Sequence, residues 1–95
     1  MTKVTLTGYI IVPKNELEPV ISALVLHKKL TLEEIGCLTF SVTQDSKNQQ
    51  RFNVFEEFID KQVFEKHQER VKQSEWGNVT VNVSRHYQVM LSENI

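Results

Sequence analysis

The stretch FNVFEEFID, residues 52–60, decides the fold because a strand pattern runs there directly into the start of a helix. The alternation predicts a strand over about residues 51–59. Its more apolar face carries Phe52, Val54, Glu56 and Phe58. Asp60 is a residue type that caps helices, and it precedes a stripe at helical spacing formed by Val63, Phe64, His67 and Val71. A strand and an amphipathic helix that packs over it therefore follow from this segment.

Upstream of this segment, the sequence predicts two more strands and a helix. Residues 3–12 alternate as a strand that Pro13 ends, with one face made of Val4, Leu6, Ile10 and Val12. Gly8 in this strand indicates a bulge or a close approach to the backbone. Residues 16–30 have helical spacing, and residues 37–43 form a strand that places Leu38, Phe40 and Val42 on one face.

Local signals predict the ends of these elements. Asn15 with Glu18, and Thr31 with Glu34, match the capping-box pattern, so a helix and a separate short turn are expected to begin there. A polar loop at residues 45–50 joins the second and third strands. Downstream, residues 78–89 predict a fourth strand whose core-facing residues are Val79, Val81 and Val83.

The resulting order, βαββαβ, predicts an α+β fold: a ferredoxin-like plait with one antiparallel sheet and both helices on one face. The length of 95 residues fits a single domain spanning residues 1–95. The other sheet face would carry Tyr9, Ile11 and Phe55, which is apolar for a surface fully exposed to water. We therefore expect a homodimer in which two such faces pack together.

Composition excludes several classes of protein. The formal net charge of −1 is unlike that of an electrostatic binder of nucleic acid or anionic membranes. Cys37 is the only cysteine, so no disulfide within the chain is expected. The N-terminus has no secretory-signal pattern, and no apolar run approaches the ~20 residues of a transmembrane helix. We expect a cytoplasmic protein that binds neither nucleic acid nor membrane.

Two common uses of this fold fit the sequence poorly. An RNA-recognition module would present aromatic side chains on one face of its third strand, but Phe52 and Phe55 have opposite parity. His27, His67 and His86 show none of the local spacings of metal ligands. The sequence thus predicts no bound metal or nucleotide.

The sharpest chemical feature is an acid and a histidine directed at the same layer. Glu56 shares its strand face with Phe52 and Val54, and His67 lies on the apolar stripe of the following helix. Such a pair in an apolar cleft can act as a base and its orienting partner. The structural alternative is a hydrogen-bonded core histidine beside a glutamate at the rim, and periodicity alone does not choose between them.

Several segments together resemble the antibiotic biosynthesis monooxygenase family. They are residues 36–40, residues 55–60 and the downstream Phe64 and His67, with the strand ending at Pro13, the helix containing His27 and residues 32–34 fitting the same pattern. The resemblance covers about Thr7 to Tyr87. It implies a dimeric α+β barrel, formed by the packing of two plaits through their sheets.

The resemblance also implies a chemistry, namely oxidation of a small quinol or phenolic aromatic by dioxygen without flavin, metal or any other cofactor. On this interpretation His67 accepts a proton from the substrate or donates a hydrogen bond to it, and Glu56 orients or positions it. Phe64, Trp76 and Tyr9 are candidates for binding the aromatic substrate. The haem-degrading branch of the family has an asparagine and a tryptophan where this chain offers Thr5 or Thr7 and Phe58, so haem is not expected.

Two other functions remain open for the same cavity. An isomerase or lyase would use His67 for proton transfer without oxygen. A non-catalytic stress-response protein would bind a small ligand there, with His67 serving only as a packed side chain.

Overall fold

The computed structural model describes residues 2–93, which form a four-stranded antiparallel sheet with its helices on one face. The elements are β1 (Thr2–Ile11), a 3-10 turn (Lys14–Glu16), α1 (Leu17–Glu33), β2 (Cys37–Gln44), β3 (Arg51–Phe58), α2 (Lys61–Lys72), α3 (Glu75–Val79) and β4 (Ser84–Glu93). The strand order is β2-β3-β1-β4. This is the predicted ferredoxin-like plait, with the additional short helix α3.

The core lies between the sheet and the helices, on the strand faces that alternation predicts. The side chains that are at least nine-tenths buried include Val4, Leu6 and Ile10 in β1, Val12 directly after it, and Phe52, Val54, Glu56 and Phe58 in β3. β2 departs from strict alternation because its pairing with β3 shifts between Cys37 and Thr39. Phe40 is buried, but the shift leaves Leu38 53% exposed, so Leu38 does not share the buried face of Phe40 as the alternation predicts.

Gly8 confirms the expectation of a close backbone approach. Its φ of +148° lies in a region that favours glycine, and a Cβ added there would collide with the carbonyl oxygen of His86 in β4. Gly8 is paired with Tyr87 in the β1–β4 register. The glycine therefore lets β4 approach β1 closely at the position of Tyr87.

The first helix differs from its prediction at both ends. Neither predicted capping box forms: α1 follows directly on the 3-10 turn, without a side-chain cap, and runs to Glu33 rather than ending near residue 30. Thr31 is fully buried within α1, where its hydroxyl accepts a hydrogen bond from Arg70 at 3.0 Å. No helix-breaking residue lies between positions 30 and 33, so the helix continues past the expected stop, and the hydrogen bond from Arg70 of α2 holds its last turn.

The predicted fourth strand over residues 78–89 is wrong in its first part. Ser74 caps α3 by accepting a hydrogen bond from the Gly77 amide, and Trp76, 8% exposed, fixes this helix to the core. Val79 and Val83 still pack on the core, but Val81 is 72% exposed. Val79 lies at the end of α3, Val81 in the following turn and Val83 directly before β4. Spacing by two residues in the sequence therefore does not require these valines to lie in one strand.

Within residues 2–93, no helix is both long and apolar enough to cross a membrane.

Candidate active site

A cavity of about 160 Å³ lies between the sheet and the helices. The sheet side and its edge contribute Leu6, Glu56, Arg85 and Tyr87, and the helices contribute His27, His67, Gln68, Val71 and Trp76. An apolar cavity of about 150 Å³ in another protein holds one benzene molecule. The space therefore suits a single aromatic ring bearing small polar substituents.

His67 reaches this cavity because α2 starts at a well-defined residue. The side chain of Asp60 accepts a hydrogen bond from the Val63 amide at 2.8 Å, which confirms the predicted cap. Helical spacing then turns His67 toward the sheet, where it is 2% exposed and packs against Phe58 with 4.9 Å between ring centroids. The cap and the helical period thus place an imidazole in the interior.

Glu34 orients the His67 ring. Its Oε1 lies 2.8 Å from His67 Nδ1 and also accepts hydrogen bonds from Arg70, from Nη2 at 2.8 Å and from Nε at 3.2 Å. An oxygen that already accepts from a guanidinium is best paired with a protonated Nδ1. The geometry therefore favours the tautomer in which Nδ1 carries the hydrogen and Nε2 keeps its lone pair.

Glu56 faces the other nitrogen of the same ring. Its Oε1 lies 3.6 Å from His67 Nε2, which is longer than a direct hydrogen bond and leaves the two groups able to share a proton through a small adjustment or a bridging oxygen. Burial, and then the negative charge of Glu34, raise the pKa of Glu56 to about 7. Burial also lowers the pKa of His67, although Glu34 opposes that shift. Near neutral pH this pair can take up or release one proton.

The sheet edge adds a phenol and a guanidinium. Tyr87 and Arg85 alternate on the same side of β4 and line the cavity opposite the helices. Tyr87 as a whole is 37% exposed, but desolvation of its hydroxyl, followed by the charge of Glu56, raises its pKa to about 12. Tyr87 therefore remains a protonated hydrogen-bond donor across the physiological range.

The structure brings together three of the five side chains singled out from the sequence. Glu56, His67 and Trp76 line the cavity. Tyr9 does not: it lies on the opposite sheet face, stacked on His86 at 4.6 Å and under the guanidinium of Arg51. Phe64 packs against Phe58, with 5.4 Å between centroids, and is absent from the cavity wall. Neither position supports contact with a ligand in this cavity.

Sequence reasoning missed Glu34, His27, Arg85 and Tyr87. The pattern predicts Glu34 as part of a capping box, whereas its side chain pairs with a histidine 33 residues away. A signal for His27 existed, because Ala23, His27 and Thr31 follow one another at four-residue spacing and are all buried. Among residues 2–93 no three His, Cys, Asp or Glu side chains form a group that could hold a metal ion.

Glu34→Gln is expected to release the His67 tautomer, because the replacement amide can present either an oxygen or an NH2 group to Nδ1. It should also lower the pKa of His67 further and bring that of Glu56 down, since Glu34 raises both. The nitrogen-15 chemical shifts of the His67 ring report the tautomer directly.

Glu33→Gln is the matched control because it removes the same charge from the exposed neighbouring position. A Glu34→Gln protein that keeps the wild-type His67 tautomer would contradict the positioning role.

The fold and the site together define a class of protein. Its members are ferredoxin-like plaits in which a buried carboxyl–imidazole pair faces a cavity the size of one aromatic ring. The family model for antibiotic biosynthesis monooxygenase matches residues 4–78. The chain belongs to that family.

Solved structures agree with the fold. A protein of unknown function from Bacteroides thetaiotaomicron, described as a possible oxidoreductase, is 14% identical, with a TM-score of 0.75 and coverage of 96% of this chain and 98% of that one. A conserved protein from Methanosarcina mazei is 15% identical, with a TM-score of 0.71 and coverage of 100% and 95%.

A third structure, an antibiotic biosynthesis monooxygenase, is 18% identical, with a TM-score of 0.70 and coverage of 100% and 99%. No curated protein matches the sequence. At these identities the structural matches concern the fold, and the family assignment rests on the matched residues.

Proposed function

We propose that this protein is a cofactor-free monooxygenase that oxidises a small quinol or phenolic aromatic with dioxygen. The observation that carries the proposal is the placement of His67 between Glu34 and Glu56 on the wall of a cavity with the volume of one aromatic ring. Family membership supports the reaction class. In this proposal His67 and Glu56 are the catalytic residues, and Trp76 contacts the substrate ring.

The chemistry requires a base more than a metal, because the substrate itself is the reductant. His67 Nε2, or the ionised Glu56 beside it, removes a phenolic proton, and the resulting anion transfers an electron to dioxygen. One oxygen atom then bonds to the ring carbon and the other leaves as water. For a benzene-diol the balance is quinol plus O2 giving hydroxyquinone plus H2O, with all four electrons supplied by the substrate.

The protein supplies hydrogen bonds and a dry site to this sequence. Tyr87, which stays protonated, can donate to the oxygen on which charge develops, and Arg85 adds positive charge at the same edge. Trp76 and Leu6 exclude water from the ring. These groups favour the anion that reacts with oxygen over the neutral quinol.

The test is oxygen uptake by the purified, metal-stripped protein with a panel of reduced quinols and phenols. Uptake well above the uncatalysed rate, with one oxygen atom of 18O2 recovered in the product, supports the monooxygenase. An isomerase or lyase would instead convert its substrate under anaerobic conditions, and a ligand-binding protein would bind an aromatic without turnover. No uptake with any member of the panel would overturn the proposed reaction.

We also propose that the protein is a homodimer that buries its helix-free sheet face. Phe55 is 38% exposed and Met90 51% exposed on that face, and Ile11 is only half-buried. Leaving such side chains in water is unfavourable, and a second copy presents the complementary surface. Sedimentation equilibrium tests this: a monomer at micromolar concentration would contradict it.

A cytoplasmic location belongs to the same proposal.

Cys37 is a free thiol whose pKa is raised by burial, so it is a poor nucleophile and is assigned no role in the reaction.

A further inference from the structure

His27 is the polar group of the cavity wall that neither the fold nor the proposed reaction has yet explained. It is 5% exposed, and neither ring nitrogen has a hydrogen-bond partner in the part of the chain that the structure describes; Nδ1 is sealed from solvent, whereas Nε2 is not. A buried polar atom without a partner is unfavourable, because it has lost its hydrogen bonds to water. Such a group in a small core calls for a physical reason.

The surroundings of His27 suit an apolar aromatic at least as well. Its ring stacks on Trp76 with 4.7 Å between centroids and an angle of 3°, and the edge of Phe40 meets it at 5.3 Å. A phenylalanine would keep both contacts and would bury no unpaired nitrogen. Packing therefore does not account for an imidazole at this position.

His27 is also unable to act as a charged group. Burial, followed by the nearby His67 and Arg70, lowers its pKa to about 3. At neutral pH it is a neutral ring with one N–H donor and one acceptor nitrogen. It can therefore form a hydrogen bond with a hydroxyl or carbonyl oxygen without competing with His67 for the proton that is transferred.

We propose that His27 is a specificity-determining residue whose Nε2, the ring nitrogen that is not sealed, hydrogen-bonds an oxygen substituent of the aromatic ligand in the cavity. The inference rests on the proposed function, because it assumes that the cavity binds an aromatic ring. Its carrying observation is independent of the reaction: His27 and His67 line one cavity with their ring centroids 6.1 Å apart. His67 removes a proton from the ligand, and His27 selects ligands that carry an oxygen substituent.

The experiment compares p-cresol with toluene, which differ only by a hydroxyl group. Trp76 is the only tryptophan in the chain and lines the cavity, so its indole N–H resonance reports binding of either probe. In His27→Phe we expect p-cresol to bind roughly threefold to tenfold more weakly, the value of one neutral hydrogen bond, and toluene to bind as in the wild type. His86→Phe is the matched control because His86 stacks on Tyr9 on the opposite sheet face and does not line the cavity.

A wild-type affinity for p-cresol in His27→Phe, or an equal loss for both probes, would overturn the inference while leaving the proposed function in place. The first result is the one expected if the Nδ1 of His27 is satisfied by a water shared with Arg70, which lines a small void of about 20 Å³ beside it. Failure of the wild-type protein to bind either probe would overturn the proposed function and the inference together.

A second measurement needs no variant. The nitrogen-15 shifts of the His27 ring in the wild-type protein should move when p-cresol is added and stay unchanged with toluene. Equal responses to both probes would contradict the hydrogen bond, whatever the folding of His27→Phe.

Discussion

His67→Gln should lower kcat/KM for the best quinol substrate by about 10²- to 10⁴-fold, the usual contribution of a positioned general base. Glutamine fills much of the same volume and offers hydrogen bonds, but it cannot accept the phenolic proton near neutral pH. The loss should fall mainly on kcat, because the ring-sized cavity and His27 remain. Oxygen-uptake kinetics at several substrate concentrations separate the two parameters.

His86→Gln is the control for this prediction, since it changes the histidine of β4 that lies on the other sheet face, away from the cavity. Unchanged melting temperature and far-ultraviolet circular dichroism would show that His67→Gln is folded. A folded His67→Gln enzyme that retains most of the wild-type kcat would remove His67 from the mechanism and leave Glu56 as the base.

Glu56→Gln should make the protein more stable than wild type above pH 7. In the folded state the Glu56 pKa is raised from 4.5 to about 7, so between these values the folded protein binds more protons than the unfolded chain. Wild-type stability attributable to this group is therefore present below pH 4.5 and lost as pH rises through 7. The shift corresponds to a loss on the order of 3 kcal/mol, which a neutral amide does not suffer.

The measurement is the free energy of unfolding in urea from pH 4.5 to pH 8.5 for both proteins. His27 and His67 have lowered pKa values and act in the opposite direction, adding stability as pH rises. Both histidines are present in both proteins, so the difference between the two curves reports the titration of Glu56 together with its coupling to His67. A difference that does not change with pH would contradict the raised pKa.

Glu57→Gln gives a control of opposite sign on the neighbouring residue. Glu57 points to the other sheet face, where hydrogen bonds from Lys3 and Thr39 lower its pKa. A lowered pKa adds stability above the unfolded value, and that stability is lost as pH falls through the folded value. Removing this carboxylate should therefore weaken the protein at neutral pH and have no such effect in acid.

The sequence predicts most of the architecture because the relevant signals are local. Period-two alternation assigns the buried faces of β1 and β3, and Asp60 marks the start of α2. These features depend on neighbours a few residues apart. The errors fall where local signals are ambiguous: residues 78–83 alternate without forming a strand, and Thr31 resembles a cap although it lies inside α1.

For the candidate site, the sequence by itself determined two orientations. The strand period turns Glu56 toward the helices, and the helical period turns His67 toward the sheet. Only the tertiary structure decided that these two groups lie 3.6 Å apart, that Glu34 completes the set from 33 residues away, and that Tyr9 lies on the opposite face. Periodicity fixes the direction of a side chain relative to its own backbone, whereas the distance between two elements is set by how their whole surfaces pack.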